Sequence, residues 1–262
     1  MYLVTGGAGF IGSHIVERLL KEGSKVRVVD NLSTGRFANI SPFIDKIEFI
    51  FGDLSDYKIA EQAVYGVDYI LHQAAVPSVP RSVKDPIRTN RSIVTATLNL
   101  FEAGRKAQVK RIVQASSSSV YGNSEELPKV ETMPANPISP YATAKYAQET
   151  YGKIFSSLYS MSIVSLRYFN VFGPRQDPYS EYSAVIVKFI SMMLENKKPT
   201  IYGDGKTTRD FTYVENVVNA NLLACQSDKP VDGEFMNIAC GERISLLELV
   251  EIINEILGKN IE

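Results

Sequence analysis

The residues best suited to chemistry in this chain are Tyr141 and Lys145, which stand four apart in Tyr141-Ala142-Thr143-Ala144-Lys145. On a helix that spacing puts both side chains on one face, about a turn apart, and an ammonium beside a phenol lowers its pKa from roughly 10 toward working pH. A phenolate so tuned can take a proton from an alcohol. The same spacing also arises in helices that carry only an exposed aromatic and a solvated lysine. What gives the pair its meaning is a Gly-rich stretch at the start of the chain, Thr5-Gly6-Gly7-Ala8-Gly9-Phe10-Ile11-Gly12. Together the two suggest redox chemistry on bound nicotinamide.

The Gly-rich stretch follows a short apolar run, Tyr2-Leu3-Val4, and precedes the amphipathic series Ile11, Ile15, Val16, Leu19, Leu20, which stops at Gly23. That is the strand-turn-helix setting of a dinucleotide-binding turn. Gly6 allows the tight turn, Gly9 lets backbone approach a pyrophosphate, and Gly12 permits close helix-to-strand packing, with the anion at the positive helix N-terminus. Asp30 closes the next apolar run, where an acid can bind the adenosine ribose hydroxyls; it favours NAD over NADP, and Arg36 close by pulls the other way. Asp53 ends a third run after Phe51-Gly52 and suits either a hydrogen bond to adenine or the N-cap of a helix.

Stepping outward, the apolar runs at 26–29, 47–51, 69–72, 111–115 and 163–169 alternate with helix-like stretches, which predicts an α/β fold with a doubly wound parallel sheet. After about residue 170 the composition turns to loops rich in Pro, Gly and Tyr, Gly173-Pro174-Arg175-Gln176-Asp177-Pro178-Tyr179 and Tyr202-Gly203-Asp204-Gly205. Such loops over strand ends are where a substrate is held. The division expected is a dinucleotide-binding domain over 1–170 and a smaller α/β substrate-binding domain over 171–262, with a segment near 210–240 returning to the first.

With 262 residues, 45% hydrophobic and 22% charged, the composition is that of an ordinary soluble protein with a large core. A net charge of -1 and dispersed Lys and Arg give no footprint for nucleic acid. No apolar run approaches the ~20 residues of a membrane span, and a strand at the first residues leaves no room for a signal peptide, so a cytoplasmic protein is expected. Cys225 and Cys240 are far apart without neighbouring His and read as buried free thiols. His14 and His72 are too isolated for a metal site or a Ser-His-acid triad, so no metal is expected.

Further motifs extend the pattern: Asp30-Asn31-Leu32-Ser33-Thr34-Gly35, Gly52-Asp53-Leu54, His72-Gln73-Ala74-Ala75, Ser116-Ser117-Ser118-Ser119-Val120-Tyr121-Gly122, Arg167-Tyr168-Phe169-Asn170-Val171-Phe172-Gly173 and Arg209-Asp210-Phe211-Thr212-Tyr213-Val214. In this order, over essentially the whole chain, the set resembles the extended short-chain dehydrogenase/reductase superfamily, specifically the UDP-glucose 4-epimerase group of nucleotide-sugar epimerases.

The resemblance implies a Rossmann fold, tightly held NAD and a UDP-sugar substrate. It implies Tyr141 as catalytic base, Lys145 as the residue that holds the nicotinamide ribose and tunes Tyr141, and Ser117 as the serine that bonds the sugar 4-hydroxyl. Gly6, Gly9, Phe10, Ile11, Gly12, Asp30, Asn31, Gly35, Asp53, Leu54 and Ala74 would surround NAD, with Phe169 near the nicotinamide. Ser78, Ser118 and Asn170 would contact the UDP-sugar, and Arg209 would neutralise its diphosphate, as guanidinium geometry suits. The reaction implied is reversible oxidation at C4 through a 4-keto sugar that turns about its diphosphate tether.

Related nucleotide-sugar 4,6-dehydratases place Asp-Glu directly after the residue equivalent to Ser117, and decarboxylases of the superfamily keep the Glu; here those positions are Ser118 and Ser119, which leaves epimerisation. Val79-Pro80-Arg81-Ser82 and Ala184-Val185-Ile186 look most like the branch acting on UDP-N-acetylhexosamines. The four-serine run is shared with UDP-glucuronate epimerases, whereas Asn170 favours the former. The rival readings are a UDP-glucuronate 4-epimerase or other nucleotide-sugar oxidoreductase and, from another class, a NAD-binding scaffold or sensor without turnover. Family members usually run longer, so a last substrate-domain segment is expected to be missing. Ile93 stands where they often have an Asn touching the cofactor, with Asn90 nearby. A homodimer is implied through the helix near 85–104 and the one after Tyr141; burial inside a monomer would equally explain the apolar Ile93, Val94, Leu98, Leu100 and Phe101 of the first.

Overall fold

Each predicted apolar run becomes a strand of one sheet in the computed structural model, which describes residues 1–177 and 185–261. The order is β1 (Tyr2–Thr5), α1 (Phe10–Lys21), β2 (Val26–Asp30), β3 (Ile47–Phe51), α2 (Tyr57–Val64), β4 (Tyr69–His72), α3 (Val79–Lys84) and α4 (Pro86–Asn90). A π-helical segment, Arg91–Thr95, runs into α5 (Ala96–Lys106), followed by β5 (Arg111–Ser117), α6 (Pro140–Tyr159), β6 (Ile163–Tyr168), β7 (Val171–Phe172) and α7 (Val185–Leu194). The chain continues through β8 (Thr208–Arg209), β9 (Thr212–Tyr213), α8 (Val214–Gln226), β10 (Phe235–Ile238), β11 (Ile244–Ser245) and α9 (Leu246–Leu257). Ala184, Pro178 and Tyr179, singled out above, lie outside the described residues.

The main sheet has seven strands in the order β10-β6-β5-β4-β1-β2-β3, all parallel in register. The progression of strand order reverses between β1 and β4, the switch point outside which ligands bind in doubly wound sheets. Parallel strands are covered on both faces and therefore lack polar alternation; every residue of β6 is buried. One apolar layer joins Ile15, Val16 and Leu19 of α1 to Val217, Val218 and Leu222 of α8. The other joins Ala60, Ala63 and Val64 of α2 to Leu100 and Phe101 of α5 and Phe155 of α6. At roughly 1.5–3 kcal/mol per buried large apolar side chain, these layers dominate the stability.

The short strand β10 was not legible in advance, because Phe235-Met236-Asn237-Ile238 carries an Asn and no β-branched run; it is added beside β6 only once the sheet exists. A third cluster, formed by Ile186, Phe189 and Met193 of α7 with Leu249, Val250 and Ile253 of α9, stands apart from the sheet layers. The helix expected near 85–104 is interrupted: Asp85 caps α4 by accepting from the Arg88 amide, and the π-helical turn then shifts the side-chain register. Ile93, Leu100 and Phe101 are fully buried within the chain. Among the described residues no helix is long and apolar enough to cross a membrane. Both cysteines are free, Cys225 buried with its thiol pushed up to about 12 by that burial, and Cys240 exposed, contrary to the expectation of two buried thiols.

Candidate active site

A cleft of about 730 Å³ opens over the carboxyl ends of β1, β2, β4, β5 and β6. Its volume falls in the range of small-molecule sites, about 300–1,000 Å³. At one end lies the Gly-rich turn. Gly6 has φ +65°, and a Cβ there would lie 2.8 Å from the Ala74 backbone. A Cβ on Gly12 would fall 2.2 Å from the Gly6 carbonyl oxygen, so only glycine lets α1 start this close to β1. Gly9, Phe10, Ile11, Asn31, Gly35, Leu54 and Ala74 complete this part of the wall.

Asp30 is buried at the end of β2, its carboxylate accepting from the amides of Ala8 at 2.9 Å and Leu32 at 2.8 Å. Burial raises its pKa, and these two amides partly offset the rise. Asp53 accepts from the Ser55 amide at 2.8 Å and the Asn31 side-chain amide at 3.1 Å. Its burial penalty is outweighed by Ser55, Asn31 and Arg91, so its pKa falls. Of its two readings the N-cap is excluded, since Asp56 caps α2.

The opposite wall is formed by β5 and α6. Ser139 accepts from the Ala142 amide and Pro140 occupies the first turn, a strong helix start. The Tyr141 amide donates to Ser82 Oγ at 3.1 Å, which fixes the start of α6 to α3. From this helix Tyr141 and Lys145 line the cleft beside Ser117 at the end of β5. Ser117 Oγ accepts from both the amide and the hydroxyl of Ser119, at 3.2 Å and 2.9 Å, which leaves its own proton to be offered elsewhere.

Lys145 Nζ donates to the Ala115 carbonyl at 2.6 Å and to Gln148 Oε1 at 3.1 Å. Burial lowers its pKa to about 7, and the carboxylate of Glu149 works against that fall. The Tyr141 phenol is raised by burial, with a hydrogen bond to Ser117 as the opposing influence. This reverses the direction expected from Tyr-Lys spacing alone, because burial of the phenol outweighs the influences that favour its charged form. Behind the wall, Glu149 receives Ser116 Oγ at 2.5 Å and both ends of the Arg167 guanidinium at 2.8 Å and 2.7 Å, all buried. Below it, His72 bridges the hydroxyls of Thr5 and Thr97, and burial holds its pKa at about 3.

Ser78 and Asn170 also line the cleft, both at positive φ, 110° and 30°, an uncommon backbone state for these residues. The Asn170 side-chain amide, through Nδ2, donates to the Asp210 carbonyl. Ser118, Phe169 and Arg209 are not in the lining. Phe169 turns toward Tyr121, 6.4 Å between ring centroids, while Tyr168 faces the cleft. Arg209 is exposed and donates to the Thr208 carbonyl, and the Asp210 carboxylate accepts instead from the amides of Cys240 and Gly241.

Gln73 and Tyr168, which stand within the sequence motifs, and Arg175, Gln176 and Asp177, which stand within a Pro- and Gly-rich loop, also line the cleft though none carried a role of its own, and Ser92 carried no signal in the sequence at all. Ser92 enters through the π-helical turn, whereas Ile93 is buried and Asn90 is exposed outside the lining. Arg175 Nη1 and Gln176 Oε1 are buried without a hydrogen-bond partner, a cost that a polar ligand would relieve. The Gly-rich turn, the buried acid closing β2 and these unpartnered atoms fit a dinucleotide. Among the described residues no group of three or more His, Cys, Asp or Glu could hold a metal ion.

The model of the NAD dependent epimerase/dehydratase family matches residues 2–239. A putative UDP-glucose 4-epimerase of Methanocaldococcus jannaschii is 44% identical over 98% of this chain and 83% of that protein. The structure of a UDP-N-acetylglucosamine 4-epimerase from Methanobrevibacter ruminantium, in complex with UDP-N-acetylmuramic acid, superposes with a TM-score of 0.94 at 43% identity, over 99% of this chain and 83% of that one. A Thermus thermophilus UDP-glucose 4-epimerase in complex with NAD gives 0.91 at 39% identity, over 100% and 84% of the two chains.

Proposed function

Since this chain belongs to the NAD dependent epimerase/dehydratase family, we propose that it is an NAD-dependent 4-epimerase of a UDP-hexose or UDP-N-acetylhexosamine. The observation that carries the reading is the convergence of Ser117, Tyr141 and Lys145 on one wall of a cleft whose far end is the Gly-rich turn with Asp30. NAD held along that cleft would supply the reversible hydride acceptance that oxidation and reduction at the sugar C4 require.

The chain's own residues supply the proton chemistry. Tyr141 Oη accepts the proton of the 4-hydroxyl and returns it in the reverse half-reaction. Ser117, whose Oγ accepts from the amide and hydroxyl of Ser119, donates a hydrogen bond to the tyrosinate and so supports that charge while keeping its own proton. Lys145, poised at about 7, is charged or neutral according to small changes in its surroundings, and its charged form favours the tyrosinate. The amides of the Gly-rich turn at the start of α1 would hold the pyrophosphate, and Asp30 would accept from ribose hydroxyls. Asn170 and Ser78 line the cleft and suit the sugar nucleotide, whereas Arg209 reaches a diphosphate only by a change of side-chain position. Phe169 and Ser118 are assigned supporting positions behind the wall.

We assign the dinucleotide to residues 1–170 together with the segment near 210–240, since α8 and β10 pack on the sheet, and the sugar nucleotide to the remainder, around α7 and α9. A homodimer is part of the proposal, supported by exposed Ile154 and Leu158 on α6 and Ile87 on α4; light scattering after gel filtration tests it. A cytoplasmic location goes with water-soluble substrates.

The deciding experiment is incubation of the purified protein with UDP-N-acetylglucosamine, UDP-glucose or UDP-glucuronate without added NAD, the C4 epimers being resolved by chromatography. Conversion of either of the first two is expected. Conversion of UDP-glucuronate alone would replace the substrate, and no conversion with NAD retained would favour a non-catalytic NAD-binding protein.

A further inference from the structure

Two residues at the adenosine end of the cleft favour opposite cofactors. A carboxylate at the end of β2 suits free ribose hydroxyls and repels a 2'-phosphate, while a nearby arginine is what accommodates one. Asp30 is the first. Arg36 is the second, and its backbone is tied to the same corner: its amide donates to the Ala8 carbonyl at 2.9 Å, and a Cβ on the adjoining Gly35 would lie 2.9 Å from the Asp30 carboxylate.

Arg36 is engaged from across the cleft, by a residue remote in sequence. Its Nη2 meets Asp177 Oδ1 at 2.5 Å. Asp177 lies in a strap that follows β7: the strap is fastened to α1, where His14 Nε2 donates to the Pro174 carbonyl at 2.9 Å and Arg175 pairs with Glu17, and to β7, where Gln176 Nε2 donates to the Val171 carbonyl at 3.2 Å. Both Arg36 and Asp177 line the cleft.

We propose that Asp177 sets the choice of dinucleotide: by holding Arg36 it denies a 2'-phosphate its cation and puts a second carboxylate in the cleft with Asp30, so the chain selects NAD over NADP. The inference rests on the cofactor reading above and adds a residue outside the Gly-rich turn and β2. Arg36 and Asp177 are each partly exposed, and pairs of that kind are weak by themselves. The discrimination comes from two changes of like sign, the loss of a repelling carboxylate and the release of a guanidinium.

The test equilibrates wild-type protein, Asp177→Asn and Asp177→Asn/Arg36→Ala with equimolar NAD and NADP, removes free nucleotide, and quantifies what each protein retains by chromatography. Wild type should retain NAD. Asp177→Asn should raise the NADP to NAD ratio about tenfold, an effect that salt weakens, and Arg36→Ala should cancel the gain. An unchanged ratio in folded Asp177→Asn, or a gain that survives Arg36→Ala, overturns the proposal. Asp177→Ser, judged the same way, carries the test should the asparagine variant fail to fold. Wild type retaining neither nucleotide would remove the dinucleotide site itself, and this proposal with it, an outcome distinct from NAD retained without a gain in the variant.

Discussion

At the Gly-rich end of the cleft the chain works by leaving side chains out, whereas at the wall of β5 and α6 it works by locking side chains together. Gly6 and Gly12 bring backbone within distances that no Cβ survives, and the groups offered to a ligand there are amides. On the other wall Ser119 orients Ser117, Ser82 holds the Tyr141 amide, Ala115 and Gln148 hold Lys145, and Glu149 binds Ser116 and Arg167. The first construction is specified by neighbours in sequence. The second draws on β5, β6, α3 and α6, and so depends on the completed sheet.

That contrast can be broken from either side. Tyr141→Phe removes the proton acceptor and nothing that positions the wall, so turnover should fall by roughly 10³-fold or more with NAD retained and the melting temperature nearly unchanged. A variant that kept turnover would sink the assignment of Tyr141 and leave only the binding end functional.

Glu149→Gln attacks the wall behind the chemistry. It leaves the buried Arg167 unpaired, and should cost about 3–5 kcal/mol in urea unfolding, together with a drop in the Lys145 pKa because the opposing carboxylate is gone. At the other end Gly12→Ala should act through one methyl group, abolishing NAD retention and costing about 2 kcal/mol or more by forcing α1 off the turn. If NAD bound normally to Gly12→Ala, the claim that close backbone approach builds this end would be wrong.

The pH dependence of stability reports on the floor beneath both constructions. His72 has a folded pKa of about 3 against an ordinary 6.5, so the unfolded chain binds the extra proton between those values. Its contribution is fully present above about 6.5 and is lost as pH falls toward 3. The urea midpoint of the wild type should therefore drop more steeply over that window than that of His72→Gln; parallel curves would exclude the buried neutral imidazole. The smallest effect expected is that of Ser119→Ala, which frees Ser117 to rotate and should lower kcat by about tenfold with KM nearly unchanged, a split measured in the same epimer assay.

Much of this was legible in advance for a physical reason. The strands at 47–51 and 69–72 are short apolar runs between helix-like stretches, and their parallel pairing follows from that alternation. Tyr141 and Lys145 share a helix face because four residues are about one turn. The direction of the Tyr141 shift is not legible there, because it is set by how deeply the fold buries the phenol, which local spacing does not carry. The two readings of Asp53 were separable only once Asp56 was seen to cap α2. Arg209 and Asp210 are adjacent in the chain yet serve different partners, the Thr208 carbonyl and the amides of Cys240 and Gly241, a division their adjacency does not reveal.

The doubly wound pattern, the Gly-rich turn, the acid closing β2 and the Tyr-Lys face of α6 all follow from the order of neighbouring residues. What depends on residues that folding brings together came from the tertiary structure. It set the burial that moves Lys145 and Tyr141, the Glu149–Arg167 pair behind them and the capture of Arg36 by Asp177. These rest on contacts between residues distant in sequence, and no local periodicity encodes them.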